Sequence, residues 1–211
     1  MGGLHVLADD DPRWKRDPVE QARAACAGGA AVVQLRAKLA TDREVLAWGT
    51  EIRAATRAAG VLFFVNDRFD LALAVDADGV HVGQDDIPPA RIPGAARARL
   101  AVGRSTHTPE QWISACEEPV DYVAFGPVFG THSKASAYAA RGLEALAEAA
   151  SHVAPRPLVA IGGIDAGRVG AVRRAGAAGF AVISAVAGSE APADATRALA
   201  AAWDAAGSGP R

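Results

Sequence analysis

The chain has 211 residues, half of them hydrophobic and 22% charged, and its formal net charge is -2. That length supports one substantial core, and no Ser/Gly/Pro-rich linker or shift in composition divides the middle of the chain. A near-neutral balance offers no general attraction to nucleic acid or to anionic membranes, no run of 18 apolar residues is present, and the N-terminus lacks a basic segment leading into a long apolar one. The expectation is a soluble, cytoplasmic, single-domain protein over residues 1–206, with a flexible tail at 207–211. The two cysteines, Cys26 and Cys116, lie in Ala-rich stretches without metal-ligand spacing and read as small buried residues.

In chain order, eight short apolar runs read as strands: 4–8, 32–38, 61–66, 79–83, 101–105, 122–129, 158–162 and 180–184. Between them lie stretches rich in Ala, Leu, Arg and Glu, at 18–27, 42–59, 142–153, 166–175 and 193–205, with Thr41 and Thr108-Pro109 as helix-start signals. Small, Gly-bearing turns recur before strands, in Ala27-Gly28-Gly29, Ala77-Asp78-Gly79 and Ala175-Gly176-Ala177, where glycine can close a helix in the left-handed conformation. Strand and helix alternating eight times, at about 26 residues per unit, predict a single (β/α)8 barrel. An open doubly wound parallel sheet is the competing architecture.

The first strand is interrupted at Asp9, Asp10 and Asp11. The second, Val33-Gln34-Leu35-Arg36-Ala37-Lys38, is unusual for a parallel sheet, because alternation puts Gln34, Arg36 and Lys38 on one face and Val33 and Leu35 on the other. In a barrel mouth Arg36 can grip phosphate oxygens and Lys38 can add a point charge; the alternative is structural pairing with barrel carboxylates. Strands three and four end in Asn66-Asp67-Arg68 and in His81-Val82-Gly83-Gln84-Asp85-Asp86. Two strand ends offering carboxylates to one spot suit a magnesium-bound phosphate or diphosphate, with Asp67 and Asp86 as ligands and Asp85 as a rival for Asp86. Helix capping is the competing role for these acids, and a turn role competes at Asn66.

Strand five ends at Ser105-Thr106-His107. Strand six runs into Gly126-Pro127-Val128-Phe129-Gly130-Thr131-His132-Ser133-Lys134, a flexible loop whose hydroxyls and lysine suit a diphosphate cover. Ile161-Gly162-Gly163-Ile164 and Ile183-Ser184 follow strands seven and eight, where barrels commonly bind phosphate with backbone amides; tight turns that need glycine are the alternative. The histidines show no metal-binding spacing, and His81 shares a strand face with Gly83. Polar residues thus gather at the C-terminal ends of seven of the eight strands, which favours an enzyme.

Together these blocks, in order over nearly the whole chain, resemble the thiamine phosphate synthase family. The resemblance implies a (β/α)8 barrel that joins hydroxymethylpyrimidine diphosphate to thiazole phosphate, or its carboxylate, with magnesium as cofactor and diphosphate as leaving group. It further implies that Gln34, Arg36, Lys38, Asn66, Ser105 and Lys134 hold the pyrimidine diphosphate and that Asp67 and Asp86 bind magnesium. Thr131, His132, Ser133, Gly163, Ile183 and Ser184 would then hold the thiazole phosphate, with Arg36, Lys38, Ser105 and Lys134 acting in catalysis. The family pattern usually carries proline where Gly130 stands, and the segment Ala135-Ser136-Ala137-Tyr138 departs from it. Related thiazole tautomerases move a proton with a histidine in the block where this chain has Pro127; that activity and a non-catalytic thiazole phosphate sensor are the alternatives. Self-association is left open by the sequence.

Overall fold

The computed structural model of the chain describes residues 1–130 and 138–207. Eight parallel strands close into a barrel in simple sequence order, and the last pairs with the first. They are β1 Gly3–Asp9, β2 Val32–Arg36, β3 Leu62–Asn66, β4 Gly79–Val82, β5 Ala101–Thr106, β6 Tyr122–Phe125, β7 Leu158–Ile161 and β8 Gly179–Val182. The α-helices among the described residues are α1 Pro18–Ala27, α2 Asp42–Ala59, α3 Phe69–Ala74, α4 Gly94–Arg97, α5 Pro109–Glu117, α6 Gly142–Val153, α7 Ala166–Arg174, α8 Ser184–Ala187 and α9 Pro192–Gly207. None of them is long and apolar enough to cross a membrane.

The expected barrel is therefore present, with shifted edges. β2 stops at Arg36 and leaves Lys38 in the loop, β6 stops at Phe125, and Ser184 opens a short helix rather than ending a strand. α9 runs through Gly207. Capping boxes at Asp17 and Thr41 start α1 and α2: each side chain accepts from the N3 amide, and the N3 glutamate returns a bond to the cap amide. Gly60 ends α2 at φ 68, as an αL cap requires. Gly176 plays the expected left-handed role at φ 92, but in the turn before β4 that conformation falls on Asp76, φ 53. Gly79 instead clears space: a Cβ there would overlap the Phe64 ring, which lies opposite in the register.

Alternation divides each strand between two cores. Val33, Leu35, Phe63, Val65, Val80, Val82, Val123, Phe125 and Phe180 face the helices and pack with Ile52, Leu146, Val169 and Leu199. Each fully buried side chain of this kind contributes about 1.5–3 kcal/mol. Leu7, Val32, Phe64, Tyr122, Ala124, Val159 and Ala181 fill the barrel interior. At the N-terminal end acids serve the backbone: Asp78 accepts from the Phe63 amide and from Arg53, both at 2.7 Å, and Asp121 accepts from the Val102 amide at 2.7 Å. Side chains placed for chemistry lie at the other end.

Candidate active site

A cavity of about 430 Å³ opens at the C-terminal ends of the strands. Gln34, Arg36, Lys38, Asn66, Asp67, Asp86, Ser105, Gly163, Ile183 and Ser184 all line it, so ten of the residues singled out in the sequence meet in one place. Thr131, His132, Ser133 and Lys134 lie outside the described residues. The division of β2 into two faces is as alternation requires: Gln34 is buried toward the cavity, while Val33 and Leu35 join the helix-facing core.

Arg36 does not stand alone. Its guanidinium pairs with Asp9, whose side chain is fully buried and also accepts from Trp14 Nε1 at 2.9 Å and the Asp11 amide at 3.0 Å. The structural pairing anticipated as an alternative for Arg36 is therefore real, and it aims the residue at the cavity it still lines. Asp10 shapes the next loop, accepting from the amides of Lys38 (2.9 Å), Leu39 (2.7 Å) and Ala40 (2.8 Å). That loop carries Lys38 to an ion pair with Asp67.

Asp67 sits in the left-handed region at φ 65, which a non-glycine residue adopts at a cost that functional sites commonly carry. Burial pushes its carboxyl above the ordinary carboxylate range; Lys38 pulls it back, and the facing carboxylate of Asp86 raises it further. Asp86 is partly buried and is oriented by the Gly83 amide at 2.7 Å, whereas Asp85 is exposed. From outside the barrel Arg104, itself buried, donates to the Gly83 carbonyl and braces this turn. No group of three or more His, Cys, Asp or Glu that could hold a metal gathers among the described residues. Asp67 and Asp86 form a two-carboxylate donor set, which suits a hard cation completed by ligand oxygens rather than a closed protein cage.

The floor of the cavity is polar and hydrogen-bonded. His81 Nδ1 lies 2.8 Å from the Tyr122 hydroxyl and its Nε2 lies 2.8 Å from Ser105 Oγ. Gln84 donates to the Ser105 carbonyl at 2.6 Å. The rings of Phe64 and His5 meet the Tyr122 ring edge-on, with centroids 5.9 and 5.8 Å away. A Cβ at Gly103 would overlap the Tyr122 ring and come within 2.5 Å of His81 Nδ1, so only glycine allows this pair to meet. His5, Asp9 and Tyr122 were not among the residues read as functional; strand parity placing Leu7 inside would have put His5 and Asp9 there as well.

The far wall comes from the loops after β6, β7 and β8. The amides of Val128 and Phe129 donate to the carbonyls of Ile161 and Gly162 at 2.9 and 3.0 Å, so this part of the expected flexible loop is pinned. Gly162 and Gly163 have φ of 105 and 62, and a Cβ on either would strike Pro127 or the Gly130 carbonyl. These glycines are thus required by the backbone wherever else they act. Where the chain is next described, Tyr138 stacks on His107 with centroids 4.3 Å apart and joins the cavity wall.

A family model described as thiamine monophosphate synthase matches residues 4–186. A relative named thiamine-phosphate synthase, from Anaeromyxobacter dehalogenans, is 48% identical over 209 residues, covering 97% of this chain and 89% of the relative. Another of that name, from Thermus thermophilus, is 44% identical over 202 residues and covers 94% and 96% of the two. Among solved structures, thiamine phosphate pyrophosphorylase from Pyrococcus furiosus superposes with a TM-score of 0.85 at 38% identity, over 97% of this chain and 96% of that one. A 3-hexulose-6-phosphate synthase at TM-score 0.65 and 21% identity shares the fold alone.

Proposed function

The chain belongs to the thiamine monophosphate synthase family, transferases of thiamine biosynthesis, and from that membership we propose that it joins hydroxymethylpyrimidine diphosphate to thiazole phosphate, or its carboxylate, with release of diphosphate. The observation that carries this reading is the meeting of Gln34, Arg36, Lys38, Asn66, Asp67, Asp86 and Ser105 on one wall of a cavity whose other wall is Gly163, Ile183 and Ser184. One wall has the groups for an amino-heterocycle and a diphosphate. The other lies after β7 and β8, where barrels commonly bind a phosphate monoester.

Charge explains why a cation belongs in the reading. The described lining holds two cationic side chains, Arg36 and Lys38, against three carboxylates, Asp67, Asp85 and Asp86. Among these described groups the carboxylates outnumber the cations, and like charge there opposes a free diphosphate. Magnesium held by Asp67 and Asp86 would supply positive charge for the diphosphate oxygens and ease departure of that group.

The protein's own residues then divide the work. Gln34 and Asn66 present amides to the heterocycle; Arg36, neutralised by Asp9, contributes direction more than net charge. Lys38 stays beside the ionised diphosphate, and Lys134 would add a second ammonium from the segment after Gly130. As the C–O bond to diphosphate lengthens, the pyrimidine methylene becomes cation-like and the thiazole nitrogen supplies the electron pair for the new C–N bond. No enzyme nucleophile or general base is required; positioning and preorganised charge carry the rate.

The test is to incubate both substrates with the protein and magnesium and to follow thiamine phosphate and diphosphate. Stoichiometric appearance of the two is expected, together with no exchange of the thiazole tautomers when the pyrimidine substrate is omitted, since Pro127 has no proton to move. Tautomer exchange without coupling would replace this reading with the isomerase, and binding of thiazole phosphate without either reaction would replace it with a sensor.

A further inference from the structure

Tyr122 is buried inside the barrel, and among the described residues its hydroxyl has one partner, His81 Nδ1 at 2.8 Å. Burial also pushes the phenol well above its ordinary range, so the group keeps its proton at neutral pH. A buried hydroxyl proton without an acceptor costs the full desolvation of the group, which makes Tyr122 the donor in this pair. A ring nitrogen that accepts carries no hydrogen, so the proton of a neutral His81 resides on Nε2. That nitrogen lies 2.8 Å from Ser105 Oγ.

We propose that Tyr122 is a positioning residue that acts through His81 on Ser105: phenol donates to Nδ1, Nε2–H donates to Oγ, and the serine proton is thereby turned away from the histidine and into the cavity. Ser105 meets its ligand as a hydrogen-bond donor. Without the phenol, nothing at Nδ1 selects against the other tautomer, in which His81 accepts from Ser105 and only oxygen lone pairs of the serine face the cavity. A donor stabilises negative charge growing on a departing group, whereas lone pairs oppose it. The barrel is shaped for this chain of bonds, because Gly103 leaves room for both rings, while Phe64 and His5 hold the phenol edge-on.

The direction of the relay is independent of the reaction; its effect on rate rests on the transfer proposed above. Two measurements separate them. Nitrogen-15 spectra of the ligand-free protein, with the His81 signals assigned against His81→Gln, should show the Nε2–H tautomer, and in Tyr122→Phe the two ring shifts should move toward each other as the second tautomer is populated. In the coupling assay Tyr122→Phe should lower kcat about tenfold, the scale of one neutral hydrogen bond, with KM for the pyrimidine diphosphate little changed. In a Ser105→Ala background the same substitution should cost almost nothing. A proton on Nδ1 in the unsubstituted protein, or wild-type ring shifts in Tyr122→Phe, overturns the relay whatever the reaction proves to be. Additive losses in the double variant overturn the route through Ser105.

Discussion

At Asp67 two costs coincide: a left-handed backbone and a carboxyl raised by burial and by a facing carboxylate. Lys38, paired with Asp67, offsets the second. If a divalent cation completes this pair, Asp67→Ala and Asp86→Ala should each raise the magnesium concentration for half-maximal coupling by at least on the order of 10²-fold. Asp85→Ala should shift it less than about threefold, since Asp85 is exposed and Asp86 is the acid facing Asp67. Magnesium titrations of the three variants check this, and a large shift for Asp85→Ala with a silent Asp86→Ala would reassign the ligand. Much at this scale was legible beforehand, because alternation alone turns Gln34 and Arg36 inward and strand ends alone bring Asp67 and Asp86 forward. Tyr122 was not: its partner His81 lies 41 positions away, and only the register through Gly103 brings them together.

The loop after β2 shows how an element end is tuned. Asp10, just beyond β1, holds three successive amides, so Lys38 reaches Asp67 from a backbone it does not itself order. Asp10→Ala should free that loop, raising KM for the pyrimidine diphosphate roughly tenfold while lowering global stability by no more than about 1–2 kcal/mol, because exposed amides can turn to water. Asp10→Asn, which keeps one carbonyl acceptor, should fall between; steady-state kinetics beside urea unfolding reads both. The strands and major helices were legible as elements because period 2 and helix-start signals are local. Their edges were not, since where β2 or β6 stops pairing is decided by the neighbouring strand. The same holds for Asp9, read as a break in an apolar run and found as the buried anchor of Arg36. Gly79 looked like a turn glycine because sequence cannot show the Phe64 ring lying across it.

For the molecule as a whole, His5 inside the closed barrel links folding to acidity. Burial holds its imidazole down at about 4, against an ordinary 6.5. Between those values the unfolded chain takes up a proton that the folded barrel refuses, so the contribution is intact above pH 6.5 and is lost as pH falls toward 4. The loss amounts to about 3 kcal/mol, at roughly 1.4 kcal/mol per unit. Urea unfolding of wild type and His5→Gln across that range should show the variant with the shallower slope, and equal slopes would remove His5 from the acid response. The division of every strand between an outer apolar face and an inner working face has a different kind of consequence. A substitution alters one face and spares the other, so the mouth can be rewritten while the shell persists. A one-residue insertion inside any strand exchanges the two faces beyond it, sending Gln34 and Arg36 toward the helices and Leu35 into the mouth. Lineages of this barrel are therefore free to drift in side chains but must confine changes of length to the connections between strands.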